Sequence, residues 1–331
     1  LLGTQTDMAP TRLAYPAGPG LGINYCGWPL AYASGQFLFG KGTGTMNKKK
    51  IYTNWFLVPA VAIFVIFFIV PMVTSLFFSL TIWDLQTFTF CGFDNYVTFF
   101  GERSLNISVV NTLIYAVLTS GLKVIFAFFI ALFLTSKIKT KTFIRSLVFF
   151  PNLVSAVAVG IIWKALMHPS KGLINTLLAV IGIDGPNWLG DTGIALFSVI
   201  FVDVWKGVSI STVIFIAGIT SIDSSYYEAA SIDGATRWQT IRHIVMPLVR
   251  SSTNTIITLS LIGGLRCFDL IWAMTKGGPG FATDVLASVV YKQYAAGFYG
   301  LSTAGNVIMF AVIAIIAFPL TKFLNSREVY N

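Results

Sequence analysis

Glu228-Ala229-Ala230-Ser231-Ile232-Asp233-Gly234, running on through Ile244 to Pro247, is a polar, helix-favouring stretch set between two long apolar runs. Its neighbours decide how it is read. The chain is 55% hydrophobic and only 11% charged, with 29 phenylalanines and a mean hydropathy of +0.77. Soluble domains carry roughly 25% charged residues. The polar stretch is therefore an excursion of a membrane protein into water, and such a segment presents itself to something there.

Working outward, a helix that crosses the hydrocarbon core needs about 20 mostly apolar residues. Six segments meet this: 54–80, 107–135, 146–168, 193–220, 248–275 and 301–325. Backbone polar groups in lipid must be satisfied within the segment, so these are expected to be helices. The fold class is an all-α integral membrane protein, a six-transmembrane-helix bundle occupying residues 46–331 with a loop at 221–247. Pro59, Pro71, Pro151 and Pro319 fall inside the spans and predict kinks.

Lysine and arginine set the orientation. Lys48, Lys49, Lys50, Lys137, Lys139, Lys141, Arg145, Arg237, Arg242, Arg250, Lys322 and Arg327 lie on one set of flanks, and only Arg103, Lys171, Lys276 and Lys292 on the other. The richer side is cytoplasmic. Both termini and the 221–247 loop are therefore expected in the cytoplasm. The net charge of +9 follows this topology and does not form a nucleic-acid-binding patch.

Residues 1–45 differ in kind, with nine glycines, three charges and no run long enough to span. They read as an upstream extension or an artificial leader, largely irregular, with Met46-Asn47-Lys48-Lys49-Lys50 as a natural beginning. The alternative is an extra N-terminal element packed on the bundle. Cys26, Cys91 and Cys267 are far apart and suggest neither a disulfide framework nor a metal site.

Within the loop, Ser224 or Ser225 is placed to cap a short helix carrying Glu228 in its first turns. Gly234 interrupts it, either as a terminator or as a point of close backbone approach. An amphipathic stretch from Thr236 to Val245 leads to Pro247, which suits the first turn of the next span. Small residues beside one acid look like a surface meant to seat in a groove.

This spacing resembles the EAA loop of binding-protein-dependent ABC importer permeases: EAA, three residues, Gly, nine residues, then I-x-L-P. Here Glu228-Ala229-Ala230 is followed by Gly234 and by Ile244-Val245-Met246-Pro247, with methionine where leucine is usual. Asp233-Gly234-Ala235, Trp238-Gln239, Phe268-Asp269-Leu270 and Thr275-Lys276-Gly277-Gly278-Pro279-Gly280 look like the carbohydrate-uptake branch. The resemblance covers about residues 50–331, including Asn111-Thr112 at the start of the second span.

The resemblance implies a coupling helix that docks on a separate ATPase chain. Glu228 would make polar contacts there, and Ala229, Ala230 and Gly234 would permit close approach. Asp233, Arg237, Arg242 and Pro247 complete the candidate coupling set. It further implies a second homologous permease subunit, two ATPase subunits that hold ATP and magnesium, an extracellular solute-binding protein and a carbohydrate substrate. The setting is the bacterial or archaeal cytoplasmic membrane, in contact with lipid. The plainer reading of the loop is an amphipathic helix lying on the membrane.

No enzyme motif competes. There is no GxxxxGK[ST], HExxH or GxSxG, and His168 and His243 are the only histidines. No catalytic residue, metal ligand or cofactor is assigned to this chain.

Ionisable groups inside spans are candidate functional sites. Asp203 and Lys206 lie three apart, as do Arg266 and Asp269, while Lys123 is central in the second span. Each acid–base pair could neutralise itself as structural glue. The sharper reading is a translocation path, since sites for neutral, polyhydroxylated sugars combine amides or carboxylates with aromatic faces. Trp205, Asn254, Thr258, Asp269, Trp272 and Asn306 supply those groups. Gly263-Gly264 offers close packing or a bend. Glycerol phosphate or another polar solute is the alternative cargo, with Lys123, Lys206 and Arg266 as cations. A proton-coupled secondary transporter using Asp203 or Asp269 is a more distant alternative, since six spans without an internal repeat suit a lone carrier poorly.

Overall fold

The computed structural model of the chain describes residues 54–136 and 139–326. The extension at 1–45, Lys48, Lys49, Lys50, Lys137 and Arg327 lie outside the described residues.

The first apolar run forms one helical rod, Trp55–Phe78, made of a 3-10 turn, α1 (Val58–Phe64), a π turn (Val65–Ile69) and α2 (Val70–Phe78). The π turn has a cause. Pro71 offers no N–H and its ring would meet the carbonyl of Phe67, so the helix widens just before it, with the Val70 N–H bonding the Val65 carbonyl. The same device recurs at Pro247, where the Met246 N–H reaches the Ile241 carbonyl. Two of the chain's prolines are thus absorbed by widening the helix.

A two-stranded antiparallel ribbon, β1 (Thr81–Trp83) and β2 (Phe88–Phe90), interrupts the expected all-α plan. Its turn is closed by Asp84, whose carboxylate accepts the Gln86 and Thr87 N–H groups. Next come α3 (Asp94–Gly101) and α4 (Arg103–Thr135), the longest helix among the described residues.

The expected span at 146–168 is two legs, α5 (Lys141–Leu153) and α6 (Ala156–Leu166), bent by 99°. Pro151 withdraws a donor near the end of α5, Val154 is extended, and Ser155 starts the new leg by accepting the Ala158 N–H at 3.2 Å. A short helix, α7 (Leu173–Val180), precedes α8 (Ala195–Thr220).

The loop helix α9 (Ser224–Ile232) leads to α10 (Arg237–Thr240), a π turn (Ile241–Val245), α11 (Met246–Leu248) and α12 (Arg250–Leu265). The expected span at 248–275 is likewise not continuous. It breaks at Arg266–Phe268 before α13 (Asp269–Met274). The chain ends in α14 (Leu286–Ala295) and α15 (Tyr299–Asn325). Among the described residues, four helices are long and apolar enough to cross a membrane, or five if the bent pair counts as one.

Helix α4 is central, packed on α8 and α12 through small residues such as Ala116, Thr119, Ala127 and Ala131. Close backbone approach is how helices associate where lipid removes the hydrophobic drive. A Cβ on Gly264 would stand 2.7 Å from the Ala116 Cα, whereas one on Gly263 would meet nothing. Gly264 therefore serves packing, and Gly263 does not. The loop 275–286 is sewn to α4 by Asn111, whose amide donates to the carbonyls of Phe281, Ala282 and Asp284, and by the Thr112 hydroxyl, which accepts the Leu286 N–H. That explains the Asn-Thr pair in physical terms.

Candidate functional site

The polar loop is built as a hairpin of two short helices. Asp223 caps α9, accepting the Ser225 N–H at 2.8 Å, so the cap lies one residue before the serines proposed from sequence. That backbone bond holds the Asp223 carboxyl below its usual range. At the other end Gly234 has φ +70. The Ala235 N–H bonds the Ala230 carbonyl and the Gly234 N–H the Ser231 carbonyl, a Schellman closure. Nothing lies near the position of a Cβ there. Of the two roles left open for Gly234, the terminator is the one seen within this chain.

Thr236 then opens α10 with a reciprocal cap, its side chain accepting the Gln239 N–H while the Gln239 side chain accepts the Thr236 N–H. This gives Gln239 a local function, while Trp238 stays exposed.

One face of α9 is anchored. Tyr227 and Ile222 pack on Phe215, Ile219, Val245 and Val249, and Ala230 is buried. The opposite face is open. Glu228, Ala229 and Asp233 are exposed, and Ile232 is 86% exposed. A groove of about 420 Å³ lies between α9 and α10, lined by Tyr226, Ala229, Asp233, Gln239, His243 and Ile244 among others. Arg237 lines a separate recess with Thr135, Ser224 and Tyr227. Pro247 is exposed within α11. The anchors Tyr227 and Val245 and the outward Ile232 escaped the motif. The helical spacing of 227 and 230 against 228, 229 and 232 carried the signal for them.

The intramembrane charges pair differently from the local expectation. Asp203 bonds Lys123 of α4, Nζ to Oδ2 at 2.7 Å, and not Lys206. Side chains three apart share a face, but the carboxylate finds its partner on a neighbouring helix. A Cβ on Gly207 would stand 2.5 Å from the Lys123 Cε, so this glycine leaves the channel in which the lysine lies. Arg266 and Asp269 are both exposed and form no ion pair with each other.

The expected path residues fall into distinct places. Trp272 stacks on Phe268 at 5.6 Å between ring centroids and meets Tyr291 of α14 edge-on at 4.7 Å, with Asp269 on the same short helix. Tyr291 was not anticipated, and Phe268 only as part of the Phe268-Asp269-Leu270 motif. Trp205 belongs to another aromatic group, with Trp163 at 5.4 Å. Asn254 is buried and donates to the Leu324 carbonyl, tying α12 to α15. Thr258 is half-buried on α12, and Asn306 is exposed on α15. Among the described residues no three His, Cys, Asp or Glu side chains could together hold a metal ion.

Residues 123–329 match the family described as binding-protein-dependent transport system inner membrane component. The chain is 31% identical over 291 residues to the probable ABC transporter permease protein YurN of Bacillus subtilis, covering 86% of this chain and 99% of that one. It is 32% identical over 282 residues to the multiple sugar-binding transport system permease protein MsmF of Streptococcus mutans, covering 84% and 97%. It is 29% identical over 259 residues to the trehalose/maltose transport system permease protein MalF of Thermococcus litoralis, covering 78% and 88%. In fold it is similar to a chain of a bacterial ABC transporter involved in alginate import, with a TM-score of 0.73, 24% identity and coverage of 83% and 97%.

Proposed function

The chain belongs to the binding-protein-dependent transport system inner membrane components, and from that premise we propose that it is the permease subunit of an ATP-driven carbohydrate importer. Members of this family are transport components and not enzymes. The observation that carries the sugar reading is the likeness, over most of the chain, to relatives named for sugar transport. The aromatic group of Phe268, Trp272 and Tyr291 beside Asp269 supports it, because aromatic faces and a carboxylate are what a sugar ring needs.

In this reading the bent pair α5–α6 and the broken pair α12–α13 are each one span, so that with the four long helices six cross the membrane. The distribution of lysine and arginine supports a cytoplasmic position for both termini and α9. The outward face of α9 seats on an ATPase subunit, with Glu228 for polar contact, Ala229 for close approach, and Asp233, Arg237 and Arg242 flanking. Gly234 shapes the end of the helix, Ala230 and Val245 fix the hairpin to the bundle, and Pro247 completes the coupling set at the entrance to the next span. ATP and magnesium belong to two such ATPase subunits. A second permease subunit completes the pathway, and an external binding protein delivers the sugar. Closure of the ATPase pair moves α9, and α9 moves α4, α8 and α12 through Tyr227 and Val245.

An anionic cargo is less well served, because Lys123 is already neutralised by Asp203. Reconstitution with the ATPase, the partner permease and the binding protein tests the proposal. Trehalose, maltose and diacetylchitobiose are compared with glycerol phosphate as stimulants of ATP hydrolysis. A neutral sugar is expected to stimulate at least fivefold. Stimulation by the phosphate alone, or uptake by this chain alone on a pH gradient, would contradict it.

A further inference from the structure

Helices α13 and α14 share the Trp272–Tyr291 contact, yet they are packed on different neighbours. Leu270, Ile271 and Met274 of α13 lie in one apolar cluster with Val199 of α8 and with Val285. Leu286 and Val289 of α14 lie in another, with Phe99 and Ile308. The seam between the two clusters thus runs between Val285 and Leu286, and Asp284 stands beside it. The Asp284 carboxylate is fully buried. It accepts from the Lys292 ammonium at both oxygens, at 2.8 and 2.7 Å, and from the Ser288 hydroxyl at 2.8 Å. From the α13 side Gly277, at φ +90, lies over this pair, and a Cβ there would collide with the carboxylate. The Thr283 hydroxyl donates to the Gly278 carbonyl at 2.7 Å and meets the Thr275 hydroxyl at 2.7 Å.

We infer that Asp284 is a positioning residue: with Lys292 and Thr283 it clasps the end of α13 to α14, and so sets how Trp272 meets Tyr291. Three observations carry this. A buried carboxylate is costly unless paired and hydrogen-bonded, so Asp284 holds Lys292 and Ser288 of α14 to itself. Lys292 directly follows Tyr291, so the cation that pairs with Asp284 sits beside the ring that meets Trp272. On the other helix, Thr275 lies three residues beyond Trp272, one turn on, and is the residue that Thr283 holds. The polar clasp therefore grips both helices within a turn of the aromatic contact. Asn111 fixes the clasp itself to α4 through the Asp284 carbonyl, at 2.9 Å.

The consequence for cargo rests on the carbohydrate reading, in which this aromatic group serves the sugar. The clasp itself is a property of this chain, so its test needs neither ATP nor sugar and survives failure of that reading. The full chain is placed in lipid nanodiscs with 3-fluorotyrosine in place of Tyr291, and the fluorine resonance is followed. Trp272→Leu gives the resonance of a ring that has lost its partner. Asp284→Asn keeps the size of the side chain, but whichever way the amide turns, its nitrogen faces the Lys292 ammonium. In that variant the resonance is expected to move at least half of the way to the Trp272→Leu position. Should that chain fail to insert, Thr283→Val, which removes the bonds to Thr275 and Gly278, is read by the same signal. A resonance that stays at the parent position in the inserted variant, or that Trp272→Leu itself leaves unmoved, would overturn the clasp.

Discussion

Lys123→Met is expected to leave a chain that inserts but unfolds at a markedly lower SDS fraction in mixed micelles. The shift should correspond to about 3 kcal/mol, roughly a hundredfold in the folding equilibrium. The lysine and Asp203 are 10% and 21% exposed at the side chain and 2.7 Å apart. Removing the ammonium strands a carboxylate between α4 and α8, and breaking a buried pair from one side costs more than the pair is worth. The stem is not the issue, because methionine fills much the same channel beside Gly207. The Lys123→Met/Asp203→Asn double variant should therefore recover at least half of the loss. If the single variant unfolds with the parent, the pair carries no structural weight.

The second large effect is expected from Gly264. Valine there would need space held by the Ala116 backbone, with the Cα of that residue 2.7 Å from the nearest added atom. Backbone cannot rotate aside as a side chain can, so α4 and α12 must separate. Overpacking of this kind costs about 1–3 kcal/mol and sometimes more, and here it acts on a contact at the centre of the bundle. Gly264→Val should abolish assembly with the partner subunits, as read by co-purification. Gly263→Ala, one residue away with nothing near its Cβ position, should assemble normally. Equal behaviour of the two variants would contradict the packing argument.

These contrasts mark how far the sequence could be read. The existence of apolar spans was legible because hydropathy sums over about 20 residues and tolerates local detail. Pro151 marked a kink in the third span, but that same averaging hid its size, 99° at Val154–Ser155, and hid the break at Arg266–Phe268 altogether. The loop helix was legible from its punctuation, and Gly234 does end α9. Its cap fell on Asp223 and not on the serines, since either residue type can serve and only geometry decides. Pairing of charges was the least legible. Asp203 and Lys206 are neighbours in number, yet the partner of Asp203 is 80 residues away. Local spacing says which groups share a face, not which helix lies against it. Asn254 shows the same limit, because the Leu324 carbonyl it bonds is 70 residues on.

Helix α9 is proposed as the place where a separate ATPase engages this chain. A photo-crosslinking amino acid at Ile232, the outward residue of α9, tests that most directly in the assembled complex. The same group at Phe310, exposed on α15, serves as the control. A covalent adduct with the ATPase subunit is expected from position 232, and none from 310. An intact complex in which position 232 yields only lipid adducts would contradict it.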